Sequence, residues 1–391
     1  MGESLSPREM LARLVAFPTV SRDSNLDLVA FVRAYLEGHG VAAHLVPSPD
    51  GLKANLFAQI GPEVAGGVVL SGHTDVVPVD GQDWSSDPFR LVEREGKLFG
   101  RGTCDMKGFV AIVLALVPEM AAAGLKRPIQ IALSYDEEVG HLGVPGLIAA
   151  LGEHLPKPSA VLVGEPTLMR VVTSHKGGVG LTTHVRGFEV HSSRLHTGVS
   201  AITAAARLIL WHADQTEANR REAERLGPEA PGALFDPPYT TLHNGLVSGG
   251  TAVNITARDC RFSSDIRTLP SESGQAWLDR YRAFAEGVAR DMQSVRPETG
   301  IDIELRMLND GCRREPGGAA EALARRLTGD NAERAVPFGT EASNFQRAGH
   351  SVCVIGPGSI DQAHQPDEFL SLAELEAGTA FVRRLIAHLA A

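Results

Sequence analysis

The stretch Val68-Val69-Leu70-Ser71-Gly72-His73-Thr74-Asp75 decides how this chain is read. A short apolar run stops abruptly in polar residues. Such a run, without polar alternation, suits a strand buried in a sheet. The same pattern recurs along the chain. Ile129 to Tyr135 runs into Asp136-Glu137-Glu138, and Val161-Leu162-Val163 runs into Gly164-Glu165-Pro166. Val352 to Ile355 runs into a loop containing Gly356-Pro357-Gly358. Helical patterns lie between these runs. Ser6 to His39 reads as two amphipathic helices separated by Phe17-Pro18-Thr19-Val20-Ser21, and Met106 to Met120 as one buried helix. Strands alternating with helices predict an α/β fold: a mixed, largely parallel sheet flanked by helices.

From about Gly178 the pattern changes. Val179 to Val185 reads as a strand and Gly198 to Trp211 as a helix. Strand candidates follow at Thr240 to Val247 and Ala252 to Ile266, then a helix at Gly274 to Asp291 and a strand at Ile301 to Leu308. The order β-α-β-β-α-β is that of a ferredoxin-like α+β unit. A helix near Ala319 to Leu327, the strand at Val352 to Ile355 and a last helix from Leu372 rejoin the first pattern. The expected organisation is therefore a catalytic domain at 1–177 and 310–391, with an inserted lid-like domain at 178–309.

The 391 residues are 43% hydrophobic and 21% charged, which excludes a disordered or fibrous chain. The net charge of -10 argues against a protein that tracks nucleic-acid phosphates. No run of 18 apolar residues predicts a membrane span, and the first residues carry no apolar signal core. Cys104, Cys260, Cys312 and Cys353 are scattered without a CxxC, which fits a reducing cytoplasm. Cys104 adjoins Asp105 but reads as a small packing residue.

The polar residues matter because of where they fall. His73, Glu137, Glu138 and Glu165 each follow a buried-strand candidate, and His364 follows the Val352 run after a loop. In open α/β sheets, ligands bind beyond the carboxyl ends of the strands. Parallel strands would bring these loops to one edge, and Asp105, just before the Met106 helix, can face the same edge. Taken singly, each has a bland explanation as a solvated turn, a helix cap or a core histidine. Jointly they form a set of two imidazoles and several carboxylates, which suits zinc, cobalt or manganese. The set exceeds one tetrahedral ion and suits two ions about 3.5–4 Å apart sharing a carboxylate. Of Glu137 and Glu138, one can bind metal and the other act as general base toward water. Asp75 can accept the second ring N–H of His73.

Four ordered motifs carry a resemblance. They are Ser71-Gly72-His73-Thr74-Asp75-Val76-Val77-Pro78, Gly100-Arg101-Gly102-Thr103-Cys104-Asp105-Met106-Lys107-Gly108, Asp136-Glu137-Glu138-Val139-Gly140 and Gly164-Glu165-Pro166-Thr167. Together they resemble the aminoacylase/carboxypeptidase family of di-zinc amidohydrolases over nearly the whole chain. The resemblance implies two divalent ions, most often Zn2+, with Co2+ or Mn2+ as alternatives. It implies His73 and Glu165 at one ion, Glu138 and His364 at the other, Asp105 bridging, Glu137 as general base and Asp75 supporting His73. It also implies a homodimer formed through the lid. There His191, in Gly187-Phe188-Glu189-Val190-His191-Ser192-Ser193, would reach a neighbouring subunit's site and stabilise the oxyanion. Asn254 and Arg267 match positions near the substrate, where a guanidinium can grip an α-carboxylate bidentately.

Three stretches, Phe235 to Leu242, Phe338 to Ala342 and Gly356 to Glu368, are most similar to the family's acetylornithine branch. This implies hydrolysis of N-acetyl-L-ornithine to L-ornithine and acetate, a step of arginine biosynthesis. The alternatives within the family are a succinyl-diaminopimelate desuccinylase, a broad aminoacylase or a dipeptidase. The chain departs from the branch at Ile266-Arg267-Thr268-Leu269-Pro270, where Phe-Arg-Pro-Leu-Pro is more usual. Glu341 is the expected partner for a cationic substrate side chain.

Overall fold

A computed structural model describes residues 2–391. The chain divides into two compact units, Met1–Thr173 with Arg314–Arg334 and Thr340–Ala391, and Ser174–Arg313 with Ala335–Gly339.

The first unit is built on a six-stranded sheet. From one edge to the other its strands are Ala43–Pro47, Ala54–Ile60, Ile129–Ser134, Val68–His73, Ala160–Val163 and Val352–Val354. The first two pairings are antiparallel and the last three parallel. The sequence pattern predicts neither of the two strands nearest that first edge; Asn55 and Gln59 interrupt the apolar run of Ala54–Ile60, although six of its seven residues are buried. Ala43–Pro47 is mostly exposed, so it lacks the apolar run that marks the others. Every residue of Val68–His73, Ile129–Ser134 and Ala160–Val163 is buried, as layers on both faces require.

The helix expected over Met106 to Met120 is two helices, Lys107–Ala115 and Val117–Ala122, meeting at Leu116. Pro118 explains the break, since it cannot supply a helix-interior N–H but is tolerated in a first turn. All nine residues of Lys107–Ala115 are buried. This helix packs so closely that a Cβ on Gly72 would meet Met106 Cε at 2.8 Å, and one on Gly164 would meet Phe109 Cδ1 at 2.0 Å. The glycines immediately before His73 and Glu165 are thus demanded by the element that follows Asp105. At the chain's start, Pro7–Val15 opens with a reciprocal Ser6–Glu9 capping box.

The second unit has the predicted β-α-β-β-α-β order: Gly177–Arg186, Ala201–Leu226, Thr241–Gly249, Asp259–Thr268, Gly274–Val295 and Gly300–Asn309. Its sheet is antiparallel throughout, with Asp259–Thr268 and Gly177–Arg186 at the centre. Along Asp259–Thr268, burial alternates strictly: Cys260, Phe262, Ser264, Ile266 and Thr268 face a core shared with both helices. Two segments differ from expectation. The helix expected to end at Trp211 continues to Leu226, and the strand expected from Ala252 begins at Asp259. The chain has the expected fold class, a mixed and largely parallel α/β unit with an inserted ferredoxin-like α+β unit. None of its helices among the described residues is long and apolar enough to cross a membrane.

Candidate metal centre

Strand ends bring the predicted residues of the first unit together. His73 closes its strand, Glu137 and Glu138 follow Ile129–Ser134, and Glu165 follows Ala160–Val163. Asp105 stands two residues before the buried helix. His364 reaches the group from the loop after Val352–Val354, with φ 62 in the left-handed region.

Asp105 is the centre of the cluster. Its Oδ1 lies 3.0 Å from His73 Nε2, and its Oδ2 lies 3.2 Å from His364 Nε2. Each imidazole therefore addresses a different oxygen of one carboxylate. Glu165 Oε1 lies 3.8 Å from His73 Nε2, and Glu138 Oε2 lies 3.1 Å from His364 Nε2. Candidate ligand atoms of His73, Glu137 and Glu165 lie within 4.8 Å of one another, as do those of His73, Asp105 and Glu138. His73 is fully buried, whereas the His364 side chain is 48% exposed, so the cluster opens to solvent on that side.

The electrostatics follow from this crowding. Burial, then the charge of Asp105, pushes Glu138 up to about 7 and Glu165 well above the carboxylate range. Hydrogen bonds to Asp105 and Glu138 raise His364 to about 10. Burial alone would lower His73, but Asp105, Asp75 and Glu165 hold it well above the ordinary imidazole value. Burial also works against ionised Asp105, yet the two imidazoles keep its carboxyl far below the usual range.

Asp75 differs from expectation in its atoms. His73 Nδ1 lies 2.8 Å from the Asp75 backbone carbonyl oxygen, while the Asp75 carboxylate stands 3.6 Å away, too far for a hydrogen bond. The carboxylate instead accepts from Ser21 Oγ at 2.7 Å and from the backbone N–H groups of Glu137 and Glu138 at 3.2 and 3.3 Å. Asp75 thus orients the histidine through its main chain and the Glu137-Glu138 turn through its side chain. Glu137 has a neighbour the sequence did not suggest. His141 Nε2 lies 3.0 Å from Glu137 Oε1, and its Nδ1 lies 2.8 Å from Asn344 Oδ1.

Glu341 corrects another expectation. It is fully buried, and its two oxygens accept from Ser71 Oγ at 2.6 Å and Ser134 Oγ at 2.7 Å. This carboxylate ties the turn before helix Ala342–Arg347 to two sheet strands, which opposes the role of greeting a substrate cation. Cys104 is buried, with its Sγ 3.2 Å from the Ser359 carbonyl oxygen; burial pushes the thiol far up, which fits a packing role.

His191, Asn254 and Arg267 belong to the second unit. His191 is exposed and opens the short helix Ser192–Thr197, accepting from the Ser193 backbone N–H at 3.2 Å. The Asn254 carbonyl accepts from the Ser192 N–H at 2.8 Å, placing Asn254 beside the His191 turn. Arg267 lies on the strand Asp259–Thr268, on the face away from the helices, with its Nε donating to Asp265 at 2.9 Å.

The profile of peptidase family M20/M25/M40 matches residues 69–388. The chain belongs to this family. It is accordingly a hydrolase of the metallopeptidase and amidohydrolase kind. It is 34% identical to the acetylornithine deacetylase of Pasteurella multocida (strain Pm70) over 388 residues, covering 97% of this chain and 96% of that protein. Two solved structures show the same fold. The M20 metallo-carboxypeptidase of Sulfolobus solfataricus superposes with a TM-score of 0.78 at 16% identity, over 100% of both chains. A dinuclear metal-binding M20 peptidase of Bacillus subtilis superposes with a TM-score of 0.61 at 16% identity, over 98% of this chain and 97% of that one.

The M20 donors of this chain suit divalent metal on their own chemistry. Nitrogen and oxygen donors converge without a thiolate, and the mutual repulsion of Asp105, Glu138 and Glu165 is what bound cations relieve.

Proposed function

We propose that this chain hydrolyses N-acyl amino acids, with N-acetyl-L-ornithine as its principal substrate and L-ornithine and acetate as products. The observation that carries the metal chemistry is Asp105, which offers one oxygen to His73 and the other to His364. The substrate choice is supported by the 34% identity with the Pasteurella multocida acetylornithine deacetylase.

His73 and Glu165 would hold one divalent cation and Glu138 and His364 the other, with Asp105 between them; zinc fits best, and cobalt or manganese also suits these donors. Such a pair supplies positive charge that polarises the amide carbonyl and makes water acidic. The protein's own groups do the rest. Glu137 takes a proton from the attacking water and returns it to the departing nitrogen, so the C–N bond breaks to a neutral amine. Asp75 holds the backbone of Glu137 and Glu138 still while the proton moves. Arg267 binds the substrate α-carboxylate with its guanidinium edge, and Asn254 adds a polar contact.

His191 donates to the oxyanion in the site of a second copy. A homodimer through the inserted unit, acting as a lid, is supported by its edge strand Thr241–Gly249, where Leu246 and Val247 are 72% and 65% exposed. A cytoplasmic location is supported by four cysteines that are all buried and scattered without a CxxC.

The test is kcat/KM of zinc-reconstituted protein on N-acetyl-L-ornithine, N-acetyl-L-methionine and N-succinyl-diaminopimelate. The expected result is a preference for acetylornithine of about a hundredfold, equal to about 2.7 kcal/mol. A flat profile, or a preference for either competitor, would contradict the substrate assignment.

A further inference from the structure

Glu368 is a buried carboxylate, 1% exposed, that the proposed chemistry does not use. It lies four residues beyond His364, yet its bonds reach the loop before the helix Lys107–Ala115. Its Oε1 accepts from the backbone N–H groups of Cys104 at 2.8 Å and Asp105 at 3.1 Å. Its Oε2 accepts from the Gly102 N–H at 3.0 Å and from Arg101 Nη1 at 2.7 Å.

Arg101, also 1% exposed, extends the network. It donates to Gln82 Oε1 and to the Gln365 carbonyl, and its guanidinium lies 5.0 Å from the Trp84 ring centre. Gln82 Nε2 in turn donates to the His364 carbonyl at 2.9 Å. One carboxylate is therefore tied to the Asp105 main chain directly and to the His364 main chain through Arg101 and Gln82. The segment it anchors needs such ties, because both His364 and Asp367 sit at positive φ, 62 and 54.

We infer that Glu368 is a positioning residue that sets the spacing between Asp105 and His364 and so governs the affinity for one cation of the pair. That cation is the one assigned to Glu138 and His364. The inference rests on the metal-centre reading above. Both oxygens of Glu368 accept hydrogen bonds, so an amide in its place must turn its NH2 toward existing donors whichever way it rotates. The Asp105 and His364 loops then separate, and a ligand set that spans both loses its fit.

Metal-free wild-type, Glu368→Gln and His364→Ala proteins are titrated with Co2+ against a chelator, with the cobalt absorption spectrum recorded in parallel. Wild type should bind two ions. In Glu368→Gln, one ion should weaken by about 10- to 100-fold while the other stays within about threefold. The spectral component lost should be the one that His364→Ala also loses. If Glu368→Gln does not fold, Gln82→Ala should weaken the same ion by about three- to tenfold, with its unfolding transition unchanged. Wild-type affinity for both ions in the folded variant, or equal weakening of both, overturns the inference. Fewer than two ions on the wild-type protein overturns the metal-centre reading instead.

Discussion

The two sheets of this molecule distribute polarity in opposite ways. In the six-stranded sheet, Val68–His73, Ile129–Ser134 and Ala160–Val163 are buried from end to end. Polar chemistry can leave such a sheet only at strand ends, and there His73, Glu137, Glu138 and Glu165 collect. In the four-stranded sheet, Asp259–Thr268 alternates residue by residue, leaving Arg261, Ser263, Asp265 and Arg267 on the face away from the helices. One sheet gathers polar side chains at its strand ends, and the other spreads them across a face. Substitutions should therefore act through chemistry or core packing in the first unit, and through binding or titration in the second.

The largest effect is expected at the strand ends. Glu137→Gln should lower kcat by about a thousandfold while both metal ions remain bound, read by steady-state kinetics and metal analysis. Near-full turnover would remove Glu137 from the proton-transfer role. Within the same sheet, Leu70→Ala should cost about 2–5 kcal/mol in urea unfolding, because Leu70 is 1% exposed between two layers. Arg261→Ala, on the open face of the other sheet, should cost less than about 0.5 kcal/mol. Equal costs would erase the contrast between the sheets.

A smaller effect depends on pH and belongs to the second unit. His212 is fully buried, its Nε2 has no hydrogen-bond partner among the described residues, and burial lowers it to about 4, with Asn244 opposing weakly. Unfolding restores an ordinary imidazole, so the unfolded chain binds more protons between about pH 6.5 and 4. The stabilisation is complete above about 6.5 and is lost as pH falls, by about 2 kcal/mol at pH 5. The tryptophan-monitored unfolding of wild type should show this loss, and His212→Phe should abolish it. A slope that survives the substitution belongs to another group. On the same open face, Arg267→Lys should cost about 1.5–2 kcal/mol in kcat/KM on acetylornithine, mainly through KM. An unchanged KM would place the carboxylate contact elsewhere.

The same contrast explains what could be read in the sequence. Strands buried on both faces leave uninterrupted apolar runs, so the positions of His73, Glu137, Glu138 and Glu165 stood out. The exposed strand Ala43–Pro47 leaves no such trace, and Asn55 and Gln59 interrupt the apolar run of the buried strand Ala54–Ile60. Pairwise atomic roles were less legible. Asp75 stands two residues after His73, as a carboxylate partner would, but its backbone oxygen makes the contact. Glu341 matched a motif, but only three dimensions reveal Ser71 and Ser134 closing over its carboxylate. The pairing of Glu368 with Arg101 is not legible in the sequence, because a buried ion pair between residues 267 positions apart has no local signature.

The most direct test of the metal centre is a Zn2+ titration of metal-free protein, following bound ions per chain and hydrolysis of N-acetyl-L-ornithine together, for wild type and Asp105→Ala. Two ions per wild-type chain, turnover that appears with them, and loss of both paired binding and turnover in Asp105→Ala are the expected results. Turnover without metal, or an Asp105→Ala protein that still binds two ions with wild-type affinity, would contradict a centre built around the two oxygens of Asp105.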